Sequence, residues 1–175
     1  MMPARGIFGA TYGSRGKESL IEQSDVLRGR PYPAHVAFLQ RLVTTAHTAA
    51  YRLTGGAIGG TIAGLPMLLL ATIGRRTNQL RTAPLLYLRD GDNLVIVASN
   101  GGAAKHPTWW LNLQARPCAL VQVANRRFVV RAQQASVPEH DRLWPLVVAL
   151  YPTYAHYQAR TARPIPVIVL RPAAQ

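Results

Sequence analysis

Four cations mark the part of this chain best suited to chemistry. Arg75, Arg76 and Arg81 fall within Gly74-Arg75-Arg76-Thr77-Asn78-Gln79-Leu80-Arg81, and Lys105 follows a second turn, Ser99-Asn100-Gly101-Gly102. A phosphate or carboxylate is held best by guanidinium forks and turn N–H groups together. Arg75 and Arg76, with Thr77 and Gln79 as neutral donors, are therefore a candidate anion site; a solvated basic turn is the alternative. Arg81 and Lys105 are single cations on a strand and at a helix entrance, where a solubilising charge is the competing reading. The turn from Ser99, following Ala98, carries two glycines that leave backbone N–H groups unhindered for a ring or phosphate, as they would in a generic loop. Trp109 and Trp110 follow Pro107 and point to different sides of a helix, so at least one belongs to the core. Tyr151, Tyr154 and Tyr157 stand three apart, with Tyr154 and Tyr157 on one face, a spacing that ordinary aromatic packing would also use. His156 between them has an imidazole able to supply a proton near neutral pH, or simply to face solvent.

The elements that must carry these residues change character along the chain. After Pro33, the residues Val36, Leu39, Leu42, Val43 and Ala46 share one side at helical spacing, which predicts an amphipathic helix from Ala34 to Leu53. Arg41 and Arg52 flank its apolar face, which suits docking on the rest of the protein or lying on a membrane surface. Paired glycines then predict a turn or linker from Gly55 to Leu65. From Pro66 the pattern becomes short apolar runs between turn residues, the mark of an antiparallel sheet. Six strands are expected: Met67 to Thr72, Arg81 to Leu88, Asn93 to Ala98, Leu120 to Ala124, Phe128 to Ala135 and Val167 to Leu170. The first three should pair as a meander, with a hairpin at Asp90-Gly91, and the next two should form a hairpin across Asn125-Arg126. Pro107 should open a helix to Ala115. Ser136-Val137-Pro138-Glu139 has the form of a helix start leading into Asp141 to Leu150, and a short helix should carry Tyr154 and Tyr157. Short strands with inserted helices give a mainly β, α+β class and a small β-barrel.

Composition bounds the function. At 175 residues the chain suits one domain, expected from 34 to 175 after a flexible N-terminal tail, 1–33. Met1 to Gly16 has no apolar run of signal-peptide length, and Ala57 to Ile73, interrupted by glycines and Pro66, is not expected to span a membrane. Cys118 has no partner for a disulfide, so the cytoplasm is the expected compartment and an inert core position the expected setting. Twenty basic residues against seven acidic give a net charge of +13. Such an excess favours an anionic ligand, an anionic membrane surface or nucleic acid, although a merely basic surface is the plain alternative. The chain lacks a G-x-S-x-G elbow, a G-x-x-x-x-G-K-[ST] loop and a C-x-x-C pair, and its five histidines are too scattered for a metal pattern. Hydrolase, nucleotide-hydrolase and zinc readings have no support.

Three stretches in this order, Gly74 to Leu85 with Arg-Arg-Thr, Ser-x-Gly-Gly from Ser99, and Lys-x-Pro-x-Trp-x-x-Asn-Leu from Lys105 to Leu113, resemble the deazaflavin-dependent nitroreductase family, whose members bind coenzyme F420. The resemblance covers Tyr51 to Pro172. It implies a split β-barrel of the FMN-binding kind and an oxidoreductase that passes a hydride to an electron-poor small molecule such as a quinone or nitroaromatic compound. It also implies that Arg75, Arg76, Thr77 and Gln79, helped by Arg81 and Lys105, meet the phosphate and oligoglutamyl tail. Ala83-Pro84-Leu85, Ala98, Ser99, Asn100, Gly101, Gly102, Trp109 and Asn112 would border the deazaflavin, while Tyr151, Tyr154 and Tyr157 would wall the acceptor site, one of them bonding the group that receives the hydride. Without the resemblance, the proline of the second strand simply marks a sheet edge. Two positions depart from the family pattern. Asn78 stands where glycine is usual, although asparagine tolerates a positive φ, and Asn100 stands where some members have lysine. An FMN-binding split barrel and a non-enzymatic basic binder of nucleic acid or anionic membrane are the competing functions. Oligomeric state is not legible in the sequence.

Overall fold

The computed structural model describes residues 46, 48–51, 53–54, 60–62 and 64–173, all within the compact unit Ala34–Gln175. The expected tail and most of the expected N-terminal helix lie outside the described residues. What is described of that helix is helical, through Leu53. Among the described residues, no helix is long and apolar enough to cross a membrane.

Among the described residues, eight strands pair antiparallel throughout. They are β1 (Thr61–Ile62), β2 (Leu65–Ile73), β3 (Leu80–Leu86), β4 (Leu88–Asp90), β5 (Asn93–Val97), β6 (Cys118–Val123), β7 (Arg126–Gln134) and β8 (Val167–Pro172). Three helices are inserted: α1 (Thr108–Ala115), α2 (Val137–Leu150) and α3 (Thr153–Ala159). The sheet runs β3, β2, β6, β7, β8, β5, β4, with β1 pairing the start of β2. Its two outer strands, β3 and β4, are consecutive in the chain and separated only by Tyr87. A sheet whose opposite edges are one residue apart has to curl, and the result is a split β-barrel. The expected meander is therefore two hairpins: β3 pairs with β2 alone, and β4 with β5. The second expected strand breaks at Tyr87, whose N–H makes the last bond in the β2–β3 register, to the Pro66 carbonyl at 3.2 Å, before the chain passes to β4.

Alternation explains why β5 and β8 read as unbroken apolar runs. Leu94, Ile96, Ile168 and Leu170 point into the barrel with Leu68, Leu70, Val121 and Val130. Val95, Val97, Val167 and Val169 point the other way and bury against Leu143 and Val147 of α2 and Tyr154 of α3. Strands covered on both faces lose the polar half of their pattern. Two residues of the start of α2 act as expected, since the Ser136 N–H donates to the Glu139 carboxylate at 2.9 Å. Pro107 precedes α1 as its cap, its carbonyl accepting from Trp110 N and Leu111 N. Cys118 corrects an expectation: it is exposed. Ala119 and Val121 take the barrel side of β6, so period two turns Cys118 outward.

Candidate functional site

A cleft of about 660 Å³ opens along β3 between the Ser99 loop, α1 and α3. Its basic end is built on the turn between β2 and β3. Gly74 has no room for a side chain there, because a Cβ would sit 2.8 Å from Thr77 Oγ1 and 3.2 Å from the Gln79 carbonyl oxygen. Asn78 adopts φ 55°, the left-handed conformation that its amide tolerates, and its Oδ1 accepts from Arg116 Nη2 at 2.9 Å. The turn is tied to the barrel by Asn112, buried to 1% exposure. Asn112 Oδ1 accepts from Arg75 N at 3.1 Å, and its Nδ2 donates to Thr72 Oγ1 at 3.1 Å. Arg75, Arg76, Arg81 and Lys105 are exposed, and among the described residues none has an ion-pair partner.

The middle of the cleft combines the backbone of β3 with a loop of unusual conformation. Ala83, Pro84 and Leu85 are half-buried and line it. Because β3 pairs on one side only, the missing N–H of Pro84 costs no ladder bond on the open side. Opposite, Asn100, Gly101 and Gly102 have φ of 51°, 65° and 78°. A Cβ at Gly102 would lie 2.9 Å from the Tyr157 carbonyl oxygen, so this loop packs directly on α3. Asn100 Nδ2 donates to the Lys105 carbonyl at 2.9 Å. The two indoles divide as expected: Trp109 is half-buried and lines the cleft, while Trp110 is in the barrel core.

The far end is apolar and aromatic. Tyr151, Tyr154 and Tyr157 all line it, with ring centroids 5.1 to 6.5 Å apart. Tyr154 is the most buried, at 7% exposure. Burial first, and then the neighbouring Tyr151 and Tyr157, push its phenol well above the usual tyrosine range. It stays protonated as a hydrogen-bond donor. His156 is exposed.

Of the residues singled out from sequence, Arg81, Ala83, Pro84, Leu85, Ser99, Asn100, Gly101, Trp109, Asn112 and the three tyrosines meet at the cleft. Arg75, Arg76, Thr77, Gln79 and Lys105 stand outside its walls, at the exposed basic end; Gly102 also lies outside them, and Ala98 is fully buried in the barrel core. Met67, Thr72, Thr82, Leu86, Val97, Pro107 and Thr108 also line the cleft and were not foreseen. Register could have found two of them, since Met67 and Leu86 are direct partners across β2 and β3. Arg116 lies too far along the chain for the motif to include it.

Comparison with known proteins converges on one group. Residues 43–172 match the family described as F420H2-dependent quinone reductase. An F420H2-dependent quinone reductase of Mycobacterium tuberculosis is 48% identical over 128 residues, 71% of this chain and 86% of that protein. The solved structure of an F420-H2 dependent reductase, FDR-A, is 34% identical with a TM-score of 0.57, covering 61% of this chain and 94% of that one. A solved domain-swapped dimer, 29% identical with a TM-score of 0.60, covers 79% of this chain and 100% of that one.

Proposed function

This chain belongs to the F420H2-dependent quinone reductase family, and from that premise we propose that it passes a hydride from reduced coenzyme F420 to a quinone bound beside the tyrosines. It is an F420H2-dependent oxidoreductase with coenzyme F420 as its cofactor. One observation carries the finer reading: one cleft has Arg81 on its wall and Arg75, Arg76 and Lys105 just beyond it, none ion-paired among the described residues, and a buried phenol at its far end.

The residues present suit the coenzyme. With no carboxylate pairing Arg75, Arg76, Arg81 or Lys105 among the described residues, their charge is left for a phosphate and an acidic tail. The cleft volume is in the range of small-molecule sites. The β3 backbone from Ala83 to Leu85, the Ser99 to Gly101 loop and Trp109 would hold a flat ring between them. When bound, the reduced coenzyme supplies the hydride, the difficult part of the reaction. The protein's part is orientation and field. Tyr154 Oη keeps its proton and donates a hydrogen bond to the acceptor oxygen as negative charge grows there. Its raised pKa makes it a poor proton source, so solvent supplies the final proton. Tyr151 and Tyr157 flank it, and Met67, Leu86 and Val97 add apolar surface to the cleft walls. Nitroaromatic compounds, which are also electron-poor and present oxygens that accept hydrogen bonds, are a second acceptor class on the same argument.

Titration with oxidised coenzyme F420, and with FMN in parallel, tests the binding half by quenching of tryptophan fluorescence through Trp109. Micromolar or tighter binding of the deazaflavin, and weaker binding of FMN, is expected. Reoxidation of the reduced coenzyme by a soluble quinone, then by a nitroaromatic compound, tests the chemical half. Binding without turnover of either acceptor would overturn the hydride-transfer reading.

A further inference from the structure

Arg163 lies in the segment between α3 and β8, half-buried and outside the walls of the cleft. Its guanidinium makes an unusual set of contacts. Nη2 donates to the Ser99 carbonyl at 2.7 Å and the Ala98 carbonyl at 3.3 Å, and Nε donates to the Ala103 carbonyl at 2.9 Å. Nη1 faces His106 Nδ1 at 3.2 Å. Burial first and the Arg163 charge second hold His106 below its ordinary value, which keeps the ring neutral and its Nδ1 free to accept. No carboxylate pairs with Arg163 among the described residues. The arginine is itself pinned to α3: Gln158 Nε2 donates to its carbonyl at 3.0 Å, and Gln158 Oε1 accepts from Ile165 N at 2.8 Å.

These contacts join the Ser99 loop to the approach to α1 and, through Gln158, to α3, adding to the bond from Asn100 Nδ2 to the Lys105 carbonyl. Ser99 to Gly101 line the cleft, and His106 immediately precedes Pro107, Thr108 and Trp109, which line it too. The Ser99 loop contains three consecutive residues at positive φ, two of them glycines that adopt it freely, so the loop has little stiffness of its own and its shape depends on what holds its carbonyls from outside. A planar fork with five N–H donors is well suited to reach several carbonyls at once in a fixed geometry. We propose that Arg163 is a positioning residue for coenzyme F420, holding the Ser99 loop and the start of α1 in register with the α3 tyrosines. This rests on the reading that the cleft takes the coenzyme. Arg163 touches neither coenzyme nor acceptor; it acts through the loops it holds.

The test compares Arg163→Ala and Arg163→Lys with the wild-type full chain, using oxidised coenzyme F420 for binding and the reduced coenzyme with a soluble quinone for turnover. Misplacing site groups by about an ångström costs on the order of tenfold or more. Arg163→Ala is expected to raise the Kd and KM for the coenzyme about tenfold, to leave the KM for the quinone within about twofold, and to regain affinity when guanidinium ion is added. Arg163→Lys keeps the charge and stem but not the fork, and is expected to bind the coenzyme several-fold more weakly while staying folded. Coenzyme affinity equal to wild type in a folded Ala or Lys variant would overturn the proposal. So would a Lys variant that cannot fold, since Arg163 would then serve the fold rather than the site. Wild type failing to bind the coenzyme would instead overturn the reading of the cleft on which the proposal rests.

Discussion

The two ends of the cleft are built on opposite principles. At the β2–β3 turn the candidate groups are exposed and charged, with no ion-pair partner among the described residues, on a hairpin whose shape rests on Gly74, Asn78 and a bond from Arg75 N to buried Asn112. At α3 they are aromatic, shielded and uncharged, packed on the outer face of β5 and β8. Charges left in water reach an anion at little cost and lose strength with salt. A phenol taken out of water keeps its proton and acts only at short range. The first end is suited to capture and the second to chemistry, and binding energy gathered far from the reacting atoms can then be used for orientation.

The largest effect should come from stripping the capture end. Arg75→Ala with Arg76→Ala is expected to raise the coenzyme Kd about a hundredfold, roughly 2.7 kcal/mol, since each charged hydrogen bond contributes about 1.5 kcal/mol or more. The KM for the acceptor should not move, and the salt dependence of coenzyme binding should flatten. Fluorescence titrations at two salt concentrations read both, and a Kd that rises without any loss of salt dependence would break the division of labour. Asn112→Ala is the next largest. It leaves Arg75 N–H and Thr72 Oγ1 without their buried partner, at about 2 kcal/mol. A thermal melt should show Tm down by about 6 °C, with coenzyme affinity weakened alongside.

How much of each end could be read in the sequence follows from the same contrast. The cations were legible because charge and turn residues are local: Arg75, Arg76 and the positive φ of Asn78 follow from adjacent residues. Six of the strands were legible through β-type apolar runs, within two residues of their ends, but β1 lies in the segment that reads as a turn or linker, and β4 is not separable from the second strand by pattern. The chemical end was legible only as three tyrosines, because what makes Tyr154 different is burial against Val97, Leu143 and Val147, residues distant in sequence. Met67, Leu86 and Val97 were missed for the same reason, since register and barrel closure decide which apolar side chains face a cleft. Cys118 was placed in the core because its neighbours are apolar, yet a two-residue period decides its side. Arg163 carries no local signal at all; its four partners lie between Ala98 and His106.

Tyr154→Phe sharpens the comparison from the other side. Removing only the hydroxyl should lower kcat about tenfold, or 1.4 kcal/mol, with the coenzyme Kd within about twofold. Because the folded phenol titrates above its ordinary range, the wild-type rate should not fall as pH rises to the usual tyrosine value of about 10. A wild-type rate that drops there, with the drop absent in Tyr154→Phe, would mean the phenol is not shielded and would remove the distinction between the two ends.

The smallest expected effect supplies the control. Asp90 and Arg142 form a two-bond pair at 2.8 and 2.9 Å, remote in character from both ends. The hydrogen bond from Arg142 holds the Asp90 carboxyl below its ordinary value. A depressed carboxylate stabilises the fold above its unfolded pKa of about 3.9, and that contribution is lost as pH falls through the lower folded value. Asp90→Asn should therefore lower Tm at neutral pH by about 2 °C or less, as exposed pairs do, and the gap from wild type should close on acidification below pH 4. Coenzyme Kd, its salt dependence and kcat should all stay at wild-type values. If this substitution moved any of them, the cleft's response to mutation would reflect general loosening of the barrel, and the separate behaviour of its two ends would lose its meaning.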